Sequence, residues 1–326
     1  LKAAVFRHQG CIEVVDMDVP ILKDNQVLLK IGYAGICGTD RAIFNGDIPC
    51  KSIVLGHEFS GEAIEMGSKV TNIKKGHYYN VQPNLSCGIC DICKKHKYSL
   101  CENKISYGIH IDGGFAEYCV IDHQLLFPVL NISHIESALV EPIACCLHGL
   151  DQCMSLMDRN ILIIGGGFIG LIFVQLAKLR GANVHLIEPN EKKRALAESF
   201  DADFVYESLS EIDTNFDLII EAVGKSETVD DALKVVGRGG EILIFGVSSE
   251  TESVLIKPYE MWEKELRIFG SRGNGHDHTD AIQLIPQLNV KDLVSSVIEL
   301  DEINKEFIAL GQDDYIKAIV HISGTE

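Results

Sequence analysis

The sequence predicts an α/β protein made of a mainly-β portion followed by a doubly wound parallel sheet. Three features point there. Through residue 150, short strand-like runs at 2–7, 26–33, 61–65 and 115–121 are separated by glycine-rich turns. From Asp151 onward, apolar strands alternate with helical patterns: 161–164 then 168–180, and 184–188 then 191–200. The third feature is Gly165-Gly166-Gly167, set between an apolar strand and an apolar helix. Further strands are expected at 217–222, 241–246 and 266–270, with a helix at 227–236. Such βαβ alternation requires a parallel sheet covered by helices on both faces. The stretch between Ala202 and Asp217 is short, so one crossover helix is expected to be trimmed. After Arg272 the pattern is mixed again and ends on a strand at 316–322. Three segments are therefore expected: 1–150, 151–271 and 272–326.

Charge narrows the partners. With 29 Lys and Arg against 47 Asp and Glu, the net charge of −18 repels phosphate backbones and anionic lipid. Neither nucleic acid nor membrane is an expected partner. The apolar run 161–177 is shorter than the ~20 residues a membrane span needs and carries three consecutive glycines. The opening residues, Leu1-Lys2-Ala3-Ala4-Val5-Phe6, have no apolar segment followed by a small-residue cleavage site. Eleven cysteines, an odd number, suggest a reducing compartment and thiolates used as ligands. Cytoplasm is the expected address.

Three constellations carry chemistry. Cys87-x-x-Cys90-x-x-Cys93-x7-Cys101 sits in a polar, loop-like stretch with Asp91, Lys94, Lys95, His96 and Lys97, where unrelated buried thiols are unexpected. Four such thiolates can close a tetrahedral zinc site with no open position, which makes this zinc structural. The second constellation is Cys37-Gly38-Thr39-Asp40, Gly56-His57-Glu58 and, far downstream, Glu141-Pro142. Thiolate, imidazole and carboxylate form a borderline-soft set that suits zinc and leaves a position free. Each piece alone is ordinary, since a lone Gly-His-Glu is more often a satisfied structural histidine. The third is Gly165-Gly166-Gly167-Phe168-Ile169-Gly170, which puts a pyrophosphate on a helix N-terminus. Glu188 ends a strand about twenty residues on, where a carboxylate accepts from both ribose hydroxyls and repels a 2′-phosphate. That favours NAD over NADP. Lys192, Lys193 and Arg194 complicate the choice, although a solvated helix face accounts for them.

The order of these motifs, with Asp112-Gly113-Gly114-Phe115-Ala116-Glu117-Tyr118 between them, resembles the medium-chain, zinc-containing alcohol dehydrogenase family over essentially the whole chain. Glu141, where simple alcohol dehydrogenases carry a cysteine, resembles the branch acting on polyols, sugars, sugar acids and threonine. The resemblance implies a GroES-like catalytic domain, a Rossmann domain and a C-terminal segment returning to the first domain. It implies a catalytic zinc held by Cys37, His57 and Glu58 or Glu141, one glutamate ligating and the other holding the zinc water. It also places Lys193 near the adenosine ribose, Gly246 and Val247 facing the nicotinamide, and a homodimer or homotetramer as the assembly. The sequence departs from the family at Ala42, where a relay histidine is common, and at Ile43, where the sugar-alcohol branch often has tyrosine. Around Ser271-Arg272-Gly273-Asn274-Gly275-His276 the expected substrate-side residues are out of register.

The implied reaction moves a hydride between NAD and a secondary alcohol of a small polar substrate, with zinc as Lewis acid and Thr39 as first proton acceptor. Glu58 and Glu141 are the carboxylates of the chemical step. An amino-alcohol dehydrogenase of the threonine type, or an NAD-binding regulatory protein with little turnover, are the alternatives. Cys145 and Cys146 read as core, and Cys11, Cys50, Cys119 and Cys153 as buried or incidental. His276 and His278 read as a solvated loop before a helix.

Overall fold

The computed structural model describes residues 1–274, 277–309 and 314–323. They form two compact units, Leu1–Ala144 with Gly275–Glu326, and Cys145–Asn274. No helix among the described residues is long and apolar enough to cross a membrane.

The first unit is built on one long strand, Gln26–Gly35, with the alternating apolar residues Val27, Leu29 and Ile31 fully buried. Glu58–Met66 pairs antiparallel along one edge. The other edge is shared: Tyr118–Asp122 takes residues 26–30, and Ala318–His321 takes residues 33–35. Tyr78–Val81 and Leu126–Pro128 extend the sheet beyond Glu58–Met66, and Ser296–Glu299 lies parallel to Ala318–His321. A second, three-stranded sheet contains Cys11–Asp16, Lys2–His8 and Ile53–Val54. Leu29, Ile31, Ile43, Leu55, Phe59 and Phe115 fill the core. Each such side chain contributes roughly 1.5–3 kcal/mol by leaving water. Phe307, near the chain's end, packs against Phe44 and Phe115 with ring centroids 5.2 Å and 6.3 Å away. The C-terminal residues thus supply both a strand and a core ring to a sheet begun at residue 26.

The second unit is a six-stranded, all-parallel sheet. Its spatial order is Phe204–Tyr206, Asn183–Ile187, Asn160–Ile164, Phe216–Glu221, Val236–Ile244, Arg267–Gly270. In chain order this is 3-2-1-4-5-6, the doubly wound arrangement, with its reversal between Asn160–Ile164 and Phe216–Glu221. The central strands are buried on both faces, which is why Ile161–Ile164 and Leu218–Ile220 are continuously apolar. Helix Phe168–Leu179 is buried almost all round, and Phe173 meets Phe245 edge-on at 4.9 Å. The crossover after Phe204–Tyr206 contains only a 3₁₀ turn, Leu209–Glu211, as the short spacing predicts.

Gly165 ends its strand at φ +104°, a conformation few side chains tolerate. Gly170, on the first turn of the helix, lies against the Gly165 carbonyl so closely that a Cβ there would overlap it. Gly170→Ala should therefore destabilise the protein by about 1–3 kcal/mol through forced backbone shifts. Thermal unfolding checks this, and a variant as stable as the parent would show that the turn has room to spare.

Candidate active site and metal centres

Strand Gln26–Gly35 leads to Cys37, the N-cap of helix Gly38–Asn45. The Cys37 N–H donates to Asp40 Oδ2 at 3.0 Å, which fixes the thiol at the mouth of the helix. Asp40 is fully buried; its Oδ1 accepts from the Gly56 N–H at 3.3 Å and lies 3.4 Å from His57 Nδ1. Burial pulls the His57 imidazole down, but the Asp40 carboxylate and the Cys37 thiol more than offset it, so its pKa stands well above the usual value. A carboxylate on one ring nitrogen leaves the other to face a metal. Glu58 begins the next strand directly opposite Gly35. One ligand atom each from Cys37, His57 and Glu58 falls within 4.8 Å of the others. Thiolate, imidazole and carboxylate at that spacing fit zinc with a position to spare.

Glu58 carries a partner that sequence reasoning missed. Lys317 Nζ forms an ion pair with Glu58 Oε2, and both side chains are buried. Burial lowers the Lys317 pKa, yet the Glu58 carboxylate outweighs it and the net shift is upward. Gly35 makes the pair possible, because a Cβ there would collide with Glu58 Oε2 and come 3.2 Å from Lys317 Cε. No local signal marks Lys317, which reaches the site only because its strand pairs with residues 33–35.

Glu141 lies buried in the first turn of helix Val140–Leu150 and is not a member of the trio. Thr39 is half-buried on helix Gly38–Asn45, as is Ala42. Ile43 is wholly in the core, so that position cannot offer a hydroxyl to a substrate. Cys146 is buried and Cys145 partly so, and neither joins a candidate metal group. His278 corrects the reading of a solvated loop: it is fully buried, stacks on Phe127 at 5.1 Å and lies 2.6 Å from Asn80 Oδ1. Gly275 and His276 lie outside the described residues.

The second metal group is the four-cysteine lobe. Cys87, Cys90, Cys93 and Cys101 bring their sulfurs within 4.8 Å of one another, with Cys87 and Cys93 at 4.0 Å. The Cys93 N–H donates to Cys90 Sγ at 3.4 Å, and the Cys87 N–H to Cys101 Sγ at 3.3 Å. The N–H groups of Ile89 and Cys90 pull the Cys87 thiol down to about 6, whereas burial pushes Cys93 up to about 12. Backbone donors aimed at sulfur favour thiolates, so this donor set also fits zinc, here closed on all sides.

In the second unit, Gly167 caps helix Phe168–Leu179 without a side chain, leaving the helix N–H groups to a ligand. Phe168 is buried, Ile169 half-buried and Gly170 packed beneath the turn. Glu188 reaches back to that turn: Oε2 accepts from the Gly166 N–H at 2.7 Å and Oε1 from the Asn190 N–H at 2.9 Å. Lys193 is half-buried on helix Glu191–Ser199, its N–H donating to Asn190 Oδ1. Arg194 departs from a solvated helix face, since its side chain is largely buried and donates to the Glu188 and Pro189 carbonyls at 2.8 and 2.7 Å. Gly246 is half-buried beyond strand Val236–Ile244, and Val247 is 85% exposed.

Two family models match the chain. Residues 23–131 match the alcohol dehydrogenase GroES-like domain, and residues 169–287 match the zinc-binding dehydrogenase model. The chain belongs to the zinc-dependent alcohol dehydrogenase family. This dehydrogenase is 32% identical to galactitol 1-phosphate 5-dehydrogenase of Escherichia coli, over 83% of each chain. It is 29% identical to D-arabinitol dehydrogenase 1 of Uromyces fabae, over 98% of this chain and 97% of that one. The crystal structure of a zinc-binding dehydrogenase from Sinorhizobium meliloti bound to NADP superposes with a TM-score of 0.94 at 35% identity, covering 98% of each chain.

Two predictions follow from the metal groups. This dehydrogenase should bind two zinc ions of unequal lability, because one donor set is closed and the other open. Elemental analysis across mild chelation should find half the zinc lost together with all activity. One zinc per chain at full activity contradicts the assignment. Lys317→Met should cost the zinc-free protein about 3–5 kcal/mol, the effect of leaving a buried charge without its partner. Zinc should restore part of that by supplying a replacement cation to Glu58. Thermal unfolding with and without zinc tests the point, and equal losses in both forms would mean that Lys317 does not answer for the Glu58 charge.

Proposed function

We propose that this dehydrogenase transfers a hydride between NAD and a secondary alcohol of a polyol, sugar or sugar acid. The observation that carries the reading is the Cys37–His57–Glu58 trio, with His57 and Glu58 buried, beside Thr39 and distinct from the closed four-cysteine lobe. The names of the relatives from Uromyces fabae and Escherichia coli, both sugar-alcohol dehydrogenases, support the substrate class.

Zinc in this donor set supplies Lewis acidity toward the substrate oxygen, and NAD supplies the hydride acceptor. The chain's own residues do the rest. Cys37, His57 and Glu58 would hold the metal, with Asp40 fixing the imidazole. Thr39, two residues past a ligand, takes the hydroxyl proton. Glu141 would be the second carboxylate of the site, one of Glu58 and Glu141 ligating and the other holding a water. Ala42 carries no proton, so the proton taken by Thr39 finds no relay imidazole at position 42. Residues 1–150 and 272–326 form the catalytic part in this reading, and residues 151–271 would hold the cofactor on Gly165, Gly167, Phe168, Ile169, Gly170, Glu188, Lys193, Gly246 and Val247.

NAD is preferred over NADP in this reading because Glu188 stands at the glycine turn, where a 2′-phosphate meets a like charge. The NADP bound by the Sinorhizobium meliloti protein makes this the choice most in need of measurement. Assembly as a homodimer or homotetramer is supported by the open edge of Arg267–Gly270 and by the nearby exposed Trp262 and Tyr259. A cytoplasmic address is inferred from the eleven cysteines, an odd number suited to use as ligands.

The test is a panel of polyols, aldoses, sugar acids and amino alcohols with each cofactor, read by absorbance of the reduced nicotinamide. Turnover of polyols with NAD is expected. Turnover of amino alcohols alone would favour the threonine-type activity, and preference for NADP would remove Glu188 from cofactor choice. Thr39→Ala should lower kcat by about 10²–10⁴ while zinc content is unchanged, the usual range for a lost proton acceptor.

A further inference from the structure

Glu221 is a buried carboxylate that the reaction leaves unused. It ends strand Phe216–Glu221 and is fully buried, yet no cation among the described residues pairs with it. Its Oε1 accepts three hydrogen bonds: from the Val223 N–H at 2.9 Å, the Gly224 N–H at 2.8 Å and Thr228 Oγ1 at 2.7 Å. Its Oε2 has no hydrogen-bond partner and lies against Gly246, where an added Cβ would come within 2.8 Å of it. The Glu221 carbonyl accepts in turn from the N–H groups of Phe245 and Gly246, both at 2.9 Å. Gly224 has φ +83°, and a Cβ there would stand 2.6 Å from the Val247 carbonyl oxygen. The ends of two neighbouring strands are therefore in backbone contact, with one carboxylate between them.

The position of this knot gives it meaning. The strand order reverses between Asn160–Ile164 and Phe216–Glu221, and a dinucleotide lies across such a reversal at the carboxyl ends of the strands. Glu188 stands beside the glycine turn on the side of Asn183–Ile187. With the pyrophosphate on that turn and the adenosine ribose on Glu188, the other half of the dinucleotide must extend over residues 221–224 and 245–247. Val223 and Val247 are exposed there, 41% and 85%, although the strands behind them are buried. A Cβ on Gly165 would sit 2.7 Å from Val223 Cγ2, so this aliphatic platform starts at the turn itself.

We propose that Glu221 is a positioning residue for the nicotinamide half of the cofactor, pinning the platform formed by Val223, Gly224, Gly246 and Val247. The inference rests on the dinucleotide reading of residues 165–170. One oxygen holds the turn at 222–224 and, through Thr228, the first turn of helix Ser226–Val235. Without that acceptor two amide groups lose their partner, and the turn must open to water, taking Gly246 and Val247 with it.

The experiment compares binding of NADH with binding of ADP-ribose, which has the adenosine and pyrophosphate but no nicotinamide. Glu221→Ala should weaken NADH about tenfold or more and leave ADP-ribose within about twofold, since one lost acceptor acts at one end only. Glu221→Gln retains an acceptor oxygen and should recover most of the NADH affinity. Thr228→Val, a milder change on the half-exposed helix start, should shift NADH in the same direction by less. It keeps the test open should Glu221→Ala fail to fold. Equal weakening of both ligands, or of neither, by Glu221→Ala and Thr228→Val overturns the inference. Glu188→Ala separates it from the underlying reading. That variant should weaken ADP-ribose and NADH alike. A parent protein that binds neither ligand overturns the dinucleotide reading and this inference with it.

Discussion

In the first unit the Cys37–His57–Glu58 trio hangs on how strand Gln26–Gly35 is paired. Glu58 is placed opposite Gly35 on one side, and the strand that follows Lys317 is placed opposite residues 33–35 on the other. Two charged residues far apart in the sequence are thereby aimed across a glycine that has no side chain to keep them apart. A one-residue slip in either pairing would turn the side chain to the opposite face of the sheet. Cys37 follows the same strand by two residues, so the register that joins Glu58 to Lys317 also sets the thiol beside the carboxylate. The candidate metal trio and its buried counter-charge are consequences of one alignment.

In the second unit the equivalent constraint is close backbone approach. Glycines at 165, 170, 224 and 246 let strand ends and a helix start come nearer than any side chain would allow. Two carboxylates, Glu188 and Glu221, then tie the N–H groups that this crowding leaves without a strand or helix partner. The glycines decide how near the elements come, and the carboxylates decide which arrangement is kept.

Much of this was legible in the sequence, and the boundary of what was legible has a physical cause. The alternating strands and helices after Asp151 are local patterns, as are the glycine turn and the cysteine spacing, because each is encoded within a few tens of residues. The trimmed crossover at Leu209–Glu211 could be read from chain length alone. Lys317 could not, since a lysine before an apolar strand looks like any solvated cation until its pairing partner is known. His278 misled for a related reason. Flanked by Asp277 and Thr279, it has the composition of an exposed loop, but Phe127 and Asn80, more than a hundred residues earlier, enclose it. Glu221 carried no motif, and its role depends on neighbours at 224, 228 and 246 that only the folded backbone gathers.

Three of the buried carboxylates, Glu241, Glu58 and Glu221, are held in ways that track what each is near. Glu241 pairs with both Arg159 and Arg267 and accepts from the Met154 N–H, so both oxygens are engaged by charged donors. Such a group is fixed, and nothing in the functional reading asks it to move. Glu58 has one lysine on one oxygen, which neutralises the charge while leaving a carboxylate able to address a metal. Glu221 has only neutral donors, all on one oxygen. Replacing Lys317 by a second metal ligand, or Val223 and Thr228 by charged groups, would disturb that order. A carboxylate near a zinc must be stabilised without being saturated. In the proposed platform role, Glu221 is better held by amides than by a cation, whose field would repel the positive ring of the oxidised nicotinamide. The partners chosen by the fold at each glutamate are the ones these separate demands require.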